Sequence, residues 1–188
     1  AAEMTEIAAA AADAGFDRLA KLLEGRGDIA SFLGAAFDLS PFLRDCARRR
    51  PEMLDALFDS DLDNRIPALI EEISALGGDA ELSEAALMAG LRRLKTEAHF
   101  LIALADLARE TDAQTTVRRL SALADAAIGA ATDFLLRDAD RQGKLNLPDK
   151  DKPSLGSGLI VLAMGKLGAR ELNFSSDIDL ILFFDPDA

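Results

Sequence analysis

The sequence contains no tryptophan, no tyrosine and a single cysteine, Cys46. One cysteine excludes a disulfide within the chain and fits a reducing compartment such as the cytoplasm. No apolar run approaches the about 20 residues that a membrane-spanning helix needs. The alanine-rich start has no basic stretch ahead of an apolar block, so we expect no signal peptide. These absences predict a cytoplasmic protein.

Positive charge is also scarce, because 21 lysines and arginines face 33 aspartates and glutamates, giving a net charge of −12. Such a surface repels both nucleic-acid backbones and anionic membranes, so neither is an expected partner. The 188 residues are 49% hydrophobic, which is enough for a core. The chain starts without methionine and stops just after an apolar run, and we expect it to be a piece of a longer protein.

Residues 1–143 have apolar side chains at three- and four-residue steps, which predicts a helical domain. Glycines, prolines and capping residues divide this domain into segments. The expected helices are Thr5 to Glu24, one capped by Asp28, one starting at Ser40-Pro41, one starting at Pro51, Leu82 to Glu110, and Val117 to about Arg141.

The composition changes after Gly143. Residues 144–157 contain two prolines and five charged side chains, which is typical of a linker. Two strand-like apolar runs follow, Leu159 to Met164 and Ile178 to Phe184. The sequence therefore predicts a mainly α fold, in which a multi-helix domain precedes the first β-hairpin of a truncated α/β domain at 158–188.

Two aspartates, Asp177 and Asp179, accompany the second strand-like run. Alternate residues of a strand share a face, so both carboxylates point one way, while Ile178, Leu180 and Leu182 point the other way, into a core. Paired carboxylates bind hard cations such as Mg²⁺, which can hold phosphate oxygens. The alternative is a hairpin whose aspartates only face solvent.

A glycine turn lies between the two runs. Gly165 and Gly168 would allow backbone N–H groups to approach a phosphate, and the hydroxyls of Ser175 and Ser176 could bind the same anion. Those serines could instead cap the turn. Lys166 is either a surface lysine or a contact to the phosphate or metal site.

These motifs resemble the nucleotidyltransferase superfamily, in which a Gly-[Gly/Ser] turn precedes Asp-x-Asp by about ten residues. Here Gly165-Lys166 stands in the turn and ten residues, 167–176, separate it from Asp177. The lysine departs from the pattern. Within the superfamily, Met164 to Leu180 is similar nearly residue for residue to the glutamine synthetase adenylyltransferase family, and the likeness extends upstream to Ser40–Asp45 and Leu120–Asp125.

The resemblance implies that the hairpin opens a nucleotidyltransferase fold. It implies that Asp177 and Asp179 are catalytic and hold Mg²⁺ or Mn²⁺. The turn residues would bind nucleotide and phosphate; these are Gly165, Lys166, Gly168, Ser175 and Ser176.

The upstream likeness implies the N-terminal, adenylyl-removing half of the enzyme. That half removes AMP from a tyrosine of glutamine synthetase by phosphorolysis and releases ADP, under control of the P-II signal protein. Because the family takes a third carboxylate from a later strand, we expect this chain alone to be inactive and to bind metal weakly. The alternatives are a helical docking module for glutamine synthetase or P-II, and the adenylylating half.

Overall fold

A computed structural model describes residues 2–59 and 61–185, except for the side chain of Ala2. The described residues are mainly helical and end in a two-stranded sheet, which confirms the predicted fold class. None of their helices is long and apolar enough to cross a membrane. The helices are α1 Ala2–Asp13, α2 Asp17–Glu24, α3 Asp28–Leu39, α4 Pro41–Arg49, α5 Pro51–Asp55, α6 Leu62–Gly78, α7 Glu84–Leu107, α8 Ala113–Arg141 and α9 Gly165–Gly168, with a 3₁₀ turn at Ala56–Phe58. The strands are β1 Leu159–Ala163 and β2 Leu180–Phe184.

The first predicted helix, Thr5 to Glu24, is wrong in its extent, because a turn at residues 14–16 separates α1 from α2. Gly15 has a φ of 86°, and the Phe16 N–H donates to the Ala11 carbonyl at 2.8 Å. This bond closes the end of α1 with a left-handed residue, a conformation that glycine adopts at little cost. Apolar periodicity continues through the break, which is why it did not reveal the turn.

The predicted start of α4 is confirmed, since Ser40 is its N-cap and Pro41 its first residue. The Leu43 N–H donates to the Ser40 hydroxyl at 3.3 Å. The predicted cap at Asp28 is wrong, because Gly27 occupies that position. Asp28 is instead the first residue of α3, where its negative charge faces the positive end of the helix dipole.

The long helices agree with the sequence patterns to within a few residues. α7 covers Glu84–Leu107 of the expected Leu82 to Glu110. α8 begins at Ala113, four residues before the expected Val117, because Asp112 caps it. The Thr115 N–H donates to the Asp112 carboxylate at 2.6 Å, and this bonding lowers the pKa of Asp112.

The chain forms two compact units. The first comprises Ala1–Arg65 and Phe100–Thr111, and the second Ile66–His99 and Asp112–Ala188. Large side chains that are fully buried in the first unit include Ile7, Leu19, Phe37, Leu43, Leu54 and Phe100. Those in the second include Ile66, Leu69, Ile73, Leu94 and Leu120. Every candidate site residue lies in the second unit.

The predicted hairpin is confirmed, because β1 and β2 pair antiparallel from Leu159↔Phe184 to Ala163↔Leu180. The expectation that Ile178, Leu180 and Leu182 enter a core is wrong, since they are 44%, 40% and 63% exposed. A hairpin of two strands cannot bury its own faces, and further strands or helices are needed to cover them. The second strand also begins at Leu180 rather than at Ile178.

Residues 144–157, the predicted linker, lie in the second compact unit and are attached to the end of α8. The Leu147 N–H donates to the Asp140 carboxylate at 3.1 Å, and the Lys150 ammonium pairs with it at 2.9 Å. Hydrogen bonds from Lys150 and Leu147 lower the pKa of Asp140. The leucine side chain itself is buried. The domain boundaries at 143 and 157 stay a prediction.

Candidate metal and phosphate site

Asp177 and Asp179 lie in the segment that leads directly into β2, and both side chains are exposed. The Met164 N–H donates to the Asp179 carbonyl at 2.9 Å. This bond continues the hairpin beyond its last strand pair, Ala163↔Leu180. The backbone of the second aspartate is therefore held against the residue that precedes the glycine turn.

The glycine turn folds as the short helix α9, and both predicted glycines have a structural reason to be glycine. Gly165 has a φ of 56°, in the left-handed region. A Cβ on Gly168 would lie 2.4 Å from the Ala163 carbonyl oxygen. Lys166 is exposed, and its carbonyl accepts from the Glu171 N–H at 2.7 Å. The turn thus passes very close to the end of β1.

The two serines lie in a turn organised by Asn173, which sequence reasoning missed. Its side-chain oxygen accepts from the Ser175 N–H at 3.2 Å and from the Ser176 hydroxyl at 2.7 Å. An asparagine side chain commonly bonds the backbone two residues further on, so Asn173 ahead of Ser175 was an available signal for this turn. The structure places the Ser176 hydroxyl in the turn, as in the capping alternative, and Ser175 is exposed.

The segment before the aspartates is attached to α8 by a buried hydrogen bond. The Leu172 N–H donates to the Ser121 hydroxyl oxygen at 3.2 Å, and that hydroxyl donates to the Val117 carbonyl at 2.8 Å. The side chains of Leu172 and Leu167 are buried. The contact between the serine and its loop partner was not visible in the sequence, because it joins residues 51 apart.

His99 on α7 also contacts this segment. Its ring meets the Phe174 ring edge to face, with ring centres 6.1 Å apart. Burial, with a smaller contribution from the Lys95 charge, lowers the pKa of His99 to about 4. The imidazole is therefore neutral at physiological pH and packs as an apolar ring.

The donor chemistry of the aspartate pair fits a hard divalent cation. Two carboxylates supply oxygen ligands of the kind that Mg²⁺ and Mn²⁺ take, with other positions open to water or phosphate oxygens. Within residues 2–59 and 61–185, no group of three or more histidine, cysteine, aspartate or glutamate side chains could hold a metal ion.

Sequence comparison decides the family. A family model described as glutamate-ammonia ligase adenylyltransferase matches residues 31–188, which include every candidate site residue. The chain belongs to this family. Within the adenylyltransferase family, the chain is similar to proteins named bifunctional glutamine synthetase adenylyltransferase/adenylyl-removing enzyme from several bacteria. The Mesorhizobium japonicum protein is 62% identical over 99% of this chain and 19% of its own length.

Two further relatives carry the same name. The Brucella suis protein is 53% identical over 87% of this chain and 17% of its own length. The Rhizobium meliloti protein is 48% identical over 93% of this chain and 18% of its own length. The chain thus spans about a fifth of the length of the curated relatives it matches. No solved structure matches it.

Proposed function

We propose that this chain is the opening part of the adenylyl-removing half of a bifunctional enzyme that controls glutamine synthetase in nitrogen assimilation. One observation carries the proposal: the Asp179 carbonyl accepts from the Met164 N–H, which holds the end of the Asp177-x-Asp179 motif beside a glycine turn. The chain also belongs to a family whose relatives are named for both adenylyl transfer and adenylyl removal. The N-terminal half is favoured by the likeness of the helical segments upstream of the turn.

The proposed reaction is phosphorolysis. An oxygen of inorganic phosphate attacks the phosphorus of the AMP–tyrosine phosphodiester on glutamine synthetase. The bond from phosphorus to the tyrosine oxygen breaks, the tyrosine oxygen takes up a proton, and ADP is released. A Mg²⁺ or Mn²⁺ ion held by Asp177 and Asp179 would supply positive charge that stabilises the phosphate oxygens.

The remaining site residues bind and orient the anions in this proposal. Gly165 and Gly168 permit a close approach of the backbone to phosphate, since neither has a side chain to block it. The exposed ammonium of Lys166 and the hydroxyls of Ser175 and Ser176 provide hydrogen bonds to phosphate oxygens. Ser176 would exchange its bond to Asn173 for one to the ligand.

We further propose that the chain alone is catalytically inactive and binds metal weakly, because the resemblance implies a third carboxylate from a later strand. The exposed apolar residues of β2 support this, since they need further structure to cover them. In the longer enzyme, the proposed partners are glutamine synthetase, the P-II signal protein, nucleotide and phosphate. The proposed location is the cytoplasm.

The experiment replaces Asp177 by asparagine in the longer enzyme and measures both AMP removal from glutamine synthetase and AMP attachment. Loss of a direct ligand should lower AMP removal by more than the about 10- to 100-fold typical of outer-shell changes. AMP attachment should remain. Asp151→Asn, which makes the same change at an exposed carboxylate outside the site, should leave both activities unchanged.

The other outcomes contradict the proposal in distinguishable ways. Loss of AMP attachment alone would assign the chain to the adenylylating half. If both activities remained at the parent level, the aspartates would not be catalytic and the helical docking module would be favoured.

A further inference from the structure

The segment that carries the candidate serines and aspartates, residues 172–179, is attached at both ends. Downstream, the Asp179 carbonyl is bonded to the Met164 N–H beside the glycine turn. Upstream, Leu172 is bonded to the Ser121 hydroxyl on α8. Only four residues, 173–176, separate the upstream attachment from Asp177, so its position constrains where the first carboxylate can lie.

We propose that Ser121 is a positioning residue, which holds Leu172 and through it places Asp177 for the metal site. Ser121 is 1% exposed, and its hydroxyl donates to the Val117 carbonyl while it accepts from the Leu172 N–H. Leu172 is itself 6% exposed, so its N–H depends on a protein acceptor. This role rests on the proposed function, since it concerns the same aspartates.

The bond to the loop is what distinguishes Ser121 from other helical serines. A serine within a helix commonly donates to the carbonyl four residues earlier and has no other role. Ser74 on α6 is such a case, because its hydroxyl donates to the Ile70 carbonyl at 3.1 Å and is exposed. Ser121 makes the same helical bond, but its oxygen also accepts from a loop 51 residues away.

The rest of the segment makes one ring contact to a helix and two hydrogen bonds within the loop. The ring of Phe174 meets His99 of α7 edge to face. Asn173 then closes the turn by accepting from the Ser175 N–H and the Ser176 hydroxyl. With the turn closed internally, a displacement at Leu172 is transmitted to Asp177 rather than absorbed by the loop.

The test compares Ser121→Ala, Ser121→Thr and the matched control Ser74→Ala. In the 188-residue chain, amide exchange of Leu172 and Mn²⁺ affinity are measured, the latter from paramagnetic broadening of the Asp177 and Asp179 amides. Ser121→Ala should speed Leu172 exchange about 5- to 10-fold, the effect of one net hydrogen bond. It should weaken Mn²⁺ binding about 3- to 10-fold. Ser74→Ala should change neither quantity by more than about twofold, and Ser121→Thr, which keeps the oxygen, should restore most of both.

In the longer enzyme, Ser121→Ala should lower kcat for AMP removal about 10-fold and leave KM for adenylylated glutamine synthetase unchanged, as misplacement of a catalytic group predicts. Faster Leu172 exchange with unchanged Mn²⁺ affinity and kcat would overturn the proposal, because the bond would then serve stability alone. A Ser121→Thr variant as defective as Ser121→Ala would also overturn it. If Ser121→Ala does not fold, Ser121→Cys, of similar size and with a weakly accepting sulfur, takes its place.

The Asp177→Asn experiment separates this inference from the proposed function. If Asp177→Asn abolishes AMP removal while Ser121→Ala does not affect it, the positioning role fails and the function stands. If Asp177→Asn has no effect on AMP removal, the proposed function fails, and the positioning role for that reaction fails with it.

Discussion

Replacing Gly168 by alanine should destabilise the hairpin and displace the backbone around Asp179. A Cβ built on Gly168 lies 2.4 Å from the Ala163 carbonyl oxygen, whereas real Cβ atoms essentially never approach closer than 3.0 Å. The two atoms must therefore separate by at least 0.6 Å, the difference between those distances. Both belong to rigid parts of the fold, because one is built on the α9 backbone and the other is the backbone oxygen that ends β1.

The free-energy cost of Gly168→Ala can be estimated from the crowding that the new methyl group causes. Forcing a methyl group into a filled site typically costs about 1–3 kcal/mol. The better helix propensity of alanine returns up to about 1 kcal/mol. The net loss is therefore about 0–3 kcal/mol, and its middle values of about 1–2 kcal/mol correspond to a fall in Tm of about 2–8 °C for a chain of this size. Because Ala163 precedes Met164, displacing the Ala163 carbonyl should also lengthen the hydrogen bond from the Met164 N–H to the Asp179 carbonyl.

The assay combines thermal unfolding, followed by circular dichroism, with amide exchange at Met164. Gly129→Ala is the matched control, because Gly129 lies in the interior of α8 and a Cβ there meets nothing within 4 Å. The control should raise stability by about 0.5–1 kcal/mol. A Gly168→Ala variant as stable as the parent, with unchanged exchange at Met164, would refute the close-approach argument.

Three further predictions concern stability. His99 is the single histidine of the sequence, and its folded pKa of about 4 lies below the ordinary value of 6.5. The contribution of neutral His99 to the free energy of unfolding is therefore complete above about pH 6.5 and is lost as pH falls toward 4, by up to about 3 kcal/mol. An imidazole NMR titration with a midpoint near 6.5 would contradict this. His99→Phe should remove this part of the pH dependence of stability. Ser40→Ala should cost about 1 kcal/mol in urea denaturation by removing the α4 cap, and an unchanged midpoint would show the cap to be unimportant. Arg137→Leu should cost about 1–3 kcal/mol, because the buried guanidinium donates to the Gly77 carbonyl, which would lose its partner; equal stability would mean that water replaces it.

Local rules predicted those features that depend on neighbouring residues. The Ser40-Pro41 start of α4 follows from capping chemistry within one turn, and the structure confirms it. The antiparallel hairpin of β1 and β2 follows from two apolar runs on either side of a glycine turn, and it is confirmed as well. The break at Gly15 was missed, because glycine is also tolerated within helices and its left-handed φ is not visible in the sequence.

The candidate site likewise has features that the sequence shows and features that only the structure shows. The spacing from Gly165 to Asp177 was visible in the sequence, and the structure brings Met164 and Asp179 together by a hydrogen bond. The hydrogen bond that attaches the loop to α8 was not visible in the sequence, because Ser121 and Leu172 are 51 residues apart. Nothing in a helical serine indicates that its hydroxyl will accept from a distant backbone group.

The sequence by itself determined the helical character, the hairpin and the order of glycine turn and paired aspartates, since these follow from periodicity and from residues close together in the chain. Only the tertiary structure decided that Ser121 holds the segment before Asp177, that Gly168 lies against the Ala163 carbonyl, and that the apolar side chains of β2 stay exposed. The physical reason is that burial and distant hydrogen bonds depend on which elements meet in space, and two strands with their flanking helices leave much of the hairpin uncovered.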